Sequence, residues 1–252
     1  MLTTEPYKIT INETELTHRY NEWDKISTNL KINEILSIKS GPDLEEAFKT
    51  YSNFCIENKF DFSITRVNSY EKDLISFLQK NNFYNIETTY EISCRASKIK
   101  NIQINNKKVS KQCDIEELCS LSSGIFNHGR FVEDPNLGKK LSDKRYYNFT
   151  KDLYNSDNDR LFMFSKDKII GFMFYKTIDQ KTNLILGGMQ PKFSHLAKFF
   201  WSRVFSELPE QNIISTVISG SNIGVMNLYS HFGFSFNNAK SGYHKKWRKN
   251  ES

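Results

Sequence analysis

A helix–turn–strand pattern is written twice in this chain, and that repetition constrains the fold more than any other feature. Residues 74–95, LISFLQKNNFYNIETTYEISCR, resemble residues 225–247, VMNLYSHFGFSFNNAKSGYHKKW. Each reads as an amphipathic helix, a short turn closed by an aromatic (Phe83, Phe234) and a strand. Superposing the two aromatics places Leu78 opposite Tyr229 and Glu71 opposite Asn222. The first copy keeps the apolar spacing and lacks the polar groups, so it reads as a degenerate partial duplicate with a structural or substrate-lining role. A chain of 252 residues with 20 Phe and 12 Tyr has the length and the core material for two such units.

Hydrophobic periodicity fills in the rest. Helices are predicted over 43–58, 71–81, 115–126, 143–154, 196–208 and 223–232. Strands are predicted over 60–67, 87–95, 161–165, 169–175, 183–189 and 213–219, with one or two more in 234–247. Residues 97–112 are polar and weakly patterned, which suits a connection between domains; the expected division is 1–105 and 110–252. Strands alternating with helices after a hairpin indicate a mixed α/β sheet.

Composition narrows the function classes. The net charge of +6 mildly favours small anionic ligands, but the basic residues are dispersed among 29 acidic ones and form no nucleic-acid stripe. Cys55, Cys94, Cys113 and Cys119 lack the paired spacing of a metal site and read as reduced thiols. No apolar run has signal or membrane-span length, so the expectation is a soluble, cytoplasmic protein without a metal, a nucleic-acid partner or a membrane partner.

The sharpest local pattern is SGSNIGVMNLYSHFGF, Ser219–Phe234. A strand ends, Gly220-Ser221-Asn222 turns, and Val225, Leu228, Tyr229 and Phe232 share one helix face. Asn222 can be an ordinary N-cap and Tyr229 a core residue whose hydroxyl finds a partner. The block also resembles the last motif of the GNAT N-acyltransferases. The resemblance implies that Asn222 helps hold the pantetheine arm of acyl-CoA and that Tyr229 protonates the departing thiolate.

The same resemblance implies a pyrophosphate loop, Arg/Gln-x-x-Gly-x-Gly/Ala, at the start of a helix. MQPKFSHLAKFFW occupies that place, with Ser194, Ala197 and Phe199 standing where Arg/Gln, Gly and Gly/Ala are expected. Phe193, Ser194, His195, Leu196, Ala197 and Lys198 become the cofactor-binding candidates, His195 and Lys198 supplying charge. In the strand before them, Gly188 and the amide of Met189 would lie against the thioester carbonyl. Gly187-Gly188 permit close approach of an acyl group or mark a bulge.

A third block, FNHGRFVEDPNL (126–137), together with Tyr243-His244-Lys245-Lys246-Trp247 at the C-terminal end, is similar to the bacterial TDP-fucosamine acetyltransferase group. That resemblance implies a GNAT fold, a mixed and largely antiparallel sheet flanked by helices, preceded by a partial GNAT-like α/β domain. It implies direct transfer of an acyl group, acetyl or a larger hydroxyacyl such as 3-hydroxybutyryl, from acyl-CoA to the amine of a dTDP-linked amino-dideoxysugar. The product would serve lipopolysaccharide or capsule synthesis. Arg130 and Asp134 would sit near the acceptor; His128 is the named candidate base, with Glu133 and Asp134 in the same loop and a relay of water also able to take the proton; a homodimer is an open expectation. Arg130 and Asp134 read equally well as a loop ion pair and an Asp-Pro turn. Two other readings stand beside the enzyme: a non-catalytic GNAT-like binding module, and a peptide or aminoacyl N-acyltransferase.

Overall fold

The computed structural model describes residues 4–99, 102 and 108–247; the connection expected over 97–112 lies partly outside them. The chain divides into two compact units, one of residues up to Thr88 together with those from Ala239, the other Thr89–Asn238. The sequence sets the division between 105 and 110. The structure sets it within two 12-residue strands, each of which contributes residues to both units, so a strand interior rather than a polar linker marks the boundary.

The first unit contains β1 (Tyr7–Ile11), β2 (Thr14–Tyr20), α1 (Glu22–Thr28), β3 (Ile32–Lys39), α2 (Leu44–Glu57), β4 (Phe62–Asn68) and α3 (Lys72–Lys80). It also holds the start of β5 (Tyr84–Arg95) and the end of β11 (Ser235–Lys246). Its strands run in the order β1-β2-β3-β4-β11, antiparallel except for the parallel β3/β4 pair. Leu16, Ile35, Phe48, Leu78, Phe83 and Tyr243 form its core. Inward positions of β2 are Thr14, Leu16 and His18, an alternation that polar side chains hide from a hydropathy count.

The second unit contains the rest of β5, β6 (Val109–Ser110), α4 (Ile115–Ile125), α5 (Gly138–Asn155), β7 (Asp159–Ser165), β8 (Lys168–Ile178) and β9 (Lys181–Met189). A 3-10 turn (Pro191–Leu196), α6 (Ala197–Ser206), β10 (Ile213–Ser219) and α7 (Ile223–His231) complete it. The order is β6-β7-β8-β9-β10-β5, again antiparallel except for one parallel pair, β9/β10. β8 is buried continuously from Ile169 to Tyr175 because both faces are covered. Ile170, Met173 and Tyr175 join a core with Phe200, Trp201 and Val204 of α6, whereas Ile169, Phe172 and Phe174 join Leu118 of α4 and Leu153 of α5. Such double coverage accounts for an uninterrupted apolar run in a strand.

The sequence repeat is thus structural, at a constant offset of 151 residues (Leu78 to Tyr229). α3 maps onto α7, β4 onto β10 and β5 onto β11. The ladders agree pair by pair: Phe62↔Lys246 and Asn68↔Lys240 in the first unit correspond to Ile213↔Arg95 and Ser219↔Thr89 in the second. The turn after each helix needs a left-handed residue, Asn82 at φ 63° and Gly233 at φ 76°, the conformation that Gly and Asn adopt at least cost. Each unit is an α/β fold with a mixed, largely antiparallel sheet flanked by helices.

Candidate active site

In the second unit β9 and β10 pair over three positions only, Lys181–Asn183 with Ile213–Ser215. Thr216 Oγ1 then donates to the Leu184 carbonyl at 2.9 Å, and the ladder ends there, although β9 continues to Met189 and β10 to Ser219. Parallel strands that part in this way leave the facing backbone groups of both without a ladder partner, an edge onto which an extended ligand can add hydrogen bonds as a further strand does.

The segment from α4 to α5 reaches both prongs of this fork. A Cβ on Gly188 would collide with Ile125 Cδ1 and sit 3.4 Å from Phe126 Cζ, so the end of α4 rests on β9. The bulge that Gly187-Gly188 could mark falls elsewhere, the β8/β9 irregularity lying at Ile185. The loop that follows reaches the turn after β10. His128 Nδ1 lies 2.9 Å from Ser221 Oγ, and Ser221 Oγ donates to Glu133 Oε1 at 2.5 Å. Gly129, at φ 108°, turns the loop so that its amide donates to the same Glu133 oxygen at 2.8 Å. Two blocks distant in sequence, 126–137 and 219–222, therefore meet at the open end of the sheet.

Asn222 caps α7: its Oδ1 accepts from the Val225 amide at 3.1 Å, satisfying one of the free amides of the first turn. About two turns on, Tyr229 is buried against Phe234, ring centroids 4.8 Å apart and edge to face. Its hydroxyl accepts from Trp201 Nε1 at 3.1 Å. Burial pushes the phenol up to about 12, slightly offset by the indole N–H, so it stays protonated through the neutral range. Among the described residues nothing accepts the phenolic hydrogen, an unusual state for a buried hydroxyl.

Phosphate-loop candidates lie in the connection between β9 and α6 and in the first turn of α6. The helix predicted from Leu196 begins at Ala197, and Ser194 and His195 lie in the preceding 3-10 turn, both exposed. Lys198 is exposed; Phe193, Leu196, Ala197 and Met189 are half-buried. No acidic side chain lies in the first turn of α6 or of α7. Arg130 stacks over Phe131 at 5.7 Å. Asp134 is buried and accepts from the Asn136 amide at 2.7 Å, while its carbonyl receives the Leu137 and Gly138 amides, so it builds the Asp-Pro turn and the start of α5. All four cysteines are free. Burial raises the Cys113 thiol to about 12, Cys55 and Cys119 to about 11, and Cys94 above its ordinary value, which suppresses the thiolate that nucleophilic catalysis needs. Among the described residues no group of three or more His, Cys, Asp or Glu could hold a metal, and no helix is long and apolar enough to cross a membrane.

Trp201 and Ser221 gain their importance only from the fold, and Glu133, which the sequence offers only as a loop carboxylate near His128, gains its partner there. A Ser or Glu in a loop carries no spacing signal, and Trp201 reads as core until its N–H is seen on Tyr229.

No family model matches the sequence, and no curated protein matches it. Solved structures share the fold. The GCN5-related N-acetyltransferase of Sphaerobacter thermophilus superposes with a TM-score of 0.66 at 7% identity, covering 93% of this chain and 77% of its own. That of Kribbella flavida gives 0.62 at 8% identity, covering 97% and 91%. A tandem GNAT protein from the clavulanic acid biosynthesis pathway gives 0.61 at 7%, covering 94% and 80%. The fold is that of the GNAT N-acetyltransferases.

Proposed function

We propose that the protein transfers an acyl group directly from acyl-CoA to an amine, and that the second unit performs the chemistry. The observation that carries this reading is the β9/β10 fork whose core holds Tyr229, a buried phenol with a committed acceptor role toward Trp201 and an uncommitted hydrogen. The free edge of β9 offers backbone groups to an extended pantetheine-like arm and to a thioester carbonyl. Helix starts without acidic side chains, with Lys198 and His195 nearby, suit a diphosphate.

In this reading the edge of β9, Met189 included, orients the thioester, and Asn222 stands where the arm passes. The amine attacks the carbonyl, and the phenolic hydrogen of Tyr229 is offered to sulfur as the C–S bond breaks. A donor as weakly acidic as this phenol stabilises a thiolate through an O–H···S hydrogen bond. His128 takes the proton that the amine loses. Holding both substrates together supplies orientation in place of a covalent intermediate.

For the acceptor we propose a nucleotide-linked amino-deoxysugar, with Arg130 of the 126–137 loop beside it; the support is the resemblance of that loop and the positive net charge of +6. Mass spectrometry of products from a mixed pool of acyl-CoAs and nucleotide amino-sugars tests donor and acceptor together. A mass gain equal to one acyl group on a sugar amine is expected. Acylation of peptides or aminoacyl-tRNA alone would replace the sugar reading. A calorimetric titration with CoA that shows no binding would leave a non-catalytic module, the reading that the missing Arg and Gly residues at Ser194, Ala197 and Phe199 favour.

A further inference from the structure

The cluster His128–Ser221–Glu133 contains enough hydrogen-bonding groups to fix every proton in it. Glu133 Oε1, a carboxylate acceptor, receives both the Gly129 amide and the Ser221 hydroxyl hydrogen. A serine has one hydrogen to give. With that hydrogen on Glu133, Ser221 Oγ can only accept from its other two neighbours, Ser219 Oγ at 2.8 Å and His128 Nδ1 at 2.9 Å. Ser219 in turn donates its hydrogen to Ser221 Oγ and accepts from the Ser221 amide at 3.3 Å. Each valence is used once. The hydrogen between His128 and Ser221 must therefore belong to Nδ1, which leaves Nε2 as the nitrogen with the free lone pair, and Nε2 has no partner among the described residues.

We infer that Ser221 and Glu133 are positioning residues that hold His128 in its Nδ1–H tautomer and present Nε2 as the base for the attacking amine. The inference rests on the acyl-transfer reading for its use and on the hydrogen-bond inventory for its content. As the amine lone pair forms the C–N bond and the C–S pair leaves with sulfur, the amine proton passes to Nε2. The resulting imidazolium keeps its Nδ1–H on Ser221, and its new charge faces the Glu133 carboxylate, 3.9 Å from Nδ1. A hydroxyl polarised by a carboxylate is the better acceptor for that N–H, because charge-assisted bonds in a chain reinforce one another. The arrangement differs from a Ser–His–acid triad, in which the imidazole stands between the other two; here the serine stands in the middle, so its oxygen is not freed to act as a nucleophile.

Two measurements on the full chain separate this inference from the functional reading. Long-range ¹H–¹⁵N NMR, taken at about pH 8 where an ordinary imidazole is neutral, reports which ring nitrogen bears hydrogen; His128→Gln identifies the signal among the five histidines. The wild type should show the Nδ1–H form. Ser221→Ala and Glu133→Gln should shift it toward a mixture, and Ser221→Thr should restore it. An Nε2–H form in the wild type, or an unchanged tautomer in Ser221→Ala, would overturn the positioning role whatever the activity. Kinetics with acetyl-CoA and dTDP-linked amino sugars form the second arm. kcat should fall about tenfold to a hundredfold in Ser221→Ala and Glu133→Gln, a part of what a general base supplies, with acetyl-CoA KM unchanged and Ser221→Thr near wild type. A retained kcat in Ser221→Ala would refute the catalytic use. Absent transfer in the wild type from a mixed pool of acyl-CoAs to sugar, peptide and aminoacyl-tRNA amines alike, with the tautomer as expected, would reject the acyl-transfer reading, and the base with it, while leaving the tautomer assignment standing.

Discussion

Thr65 and Thr216 do the same work in the two units. Thr65 Oγ1 donates to the Ile35 carbonyl at 3.1 Å where β3 and β4 part, as Thr216 does to Leu184 at 2.9 Å where β9 and β10 part. The backbone device is therefore present twice, and the side chains around it differ. Where the second unit has Asn222 and Tyr229, the first has Glu71 and Leu78 at the equivalent cap and core positions. The helix after the first fork, α2, opens with Glu45 and Glu46. Those carboxylates already complement the positive end of the helix and would repel a diphosphate; α6 opens with Ala197 and Lys198. A fork alone is a scaffold. The difference lies in which side chains the scaffold presents, and it is the reason our proposal places the chemistry in the second unit.

The largest effects break the comparison at its centre. Tyr229→Phe should lower turnover tenfold or more, the usual loss when a positioned proton donor is removed, and wild-type turnover would remove the tyrosine from the mechanism. The variant also strands the Trp201 N–H in the core, which costs about 1–3 kcal/mol, so rates are to be normalised to folded protein. Leu78→Ala is the mirror experiment. Fully buried Leu78 should cost about 2–5 kcal/mol in urea denaturation and leave turnover per folded molecule intact. A specific loss of turnover in Leu78→Ala would mean that the first unit takes part in the reaction.

A pH effect of intermediate size should come from the first unit. His18 is buried beside Tyr51 and Phe54, and desolvation lowers its pKa from 6.5 to about 4, Asn33 offsetting part of the shift. Between those values the unfolded chain binds a proton that the native unit excludes, so stability is complete above about 6.5 and declines as pH falls toward 4. Thermal midpoints measured from pH 7 to 4 should drop for the wild type and drop less for His18→Phe. Parallel curves would assign the acid sensitivity to other groups.

The elements with strong periodicity were legible: α4, α7, β10 and the β7–β8 hairpin lie within a few residues of their predicted limits, and the repeat exposed two related units. What was not legible follows from buried polarity and from distance. The first forty residues hold three strands, yet their inward positions include Thr14, His18 and Asn33, which erase the alternating apolar signal. α5 begins at Gly138 rather than near 143 because the Asp134 carbonyl, not an apolar stripe, starts it. At the candidate site Tyr229 and Asn222 were readable from one contiguous motif. Their partners were not: Trp201 lies 28 residues from Tyr229, and Glu133 lies 88 residues from Ser221.

The smallest expected effect sharpens the comparison at the helix caps. Asn222 can act through Oδ1, which caps α7, or through Nδ2, the hydrogen donor available to a pantetheine amide. Asn222→Ala removes both and should cost about 1 kcal/mol of stability together with a severalfold rise in the KM for acyl-CoA. Asn222→Asp keeps a capping oxygen, and Asp caps as well as Asn, but it carries no donor. Stability should therefore return in Asn222→Asp while the KM stays raised. If both recover, Asn222 is a cap and nothing more, a role the Glu71 side chain does not fill at its own helix, where its carboxylate accepts from the Asn68 amide instead. The functional contrast between the units would then rest on Tyr229, the charge of their helix starts and the His128 cluster.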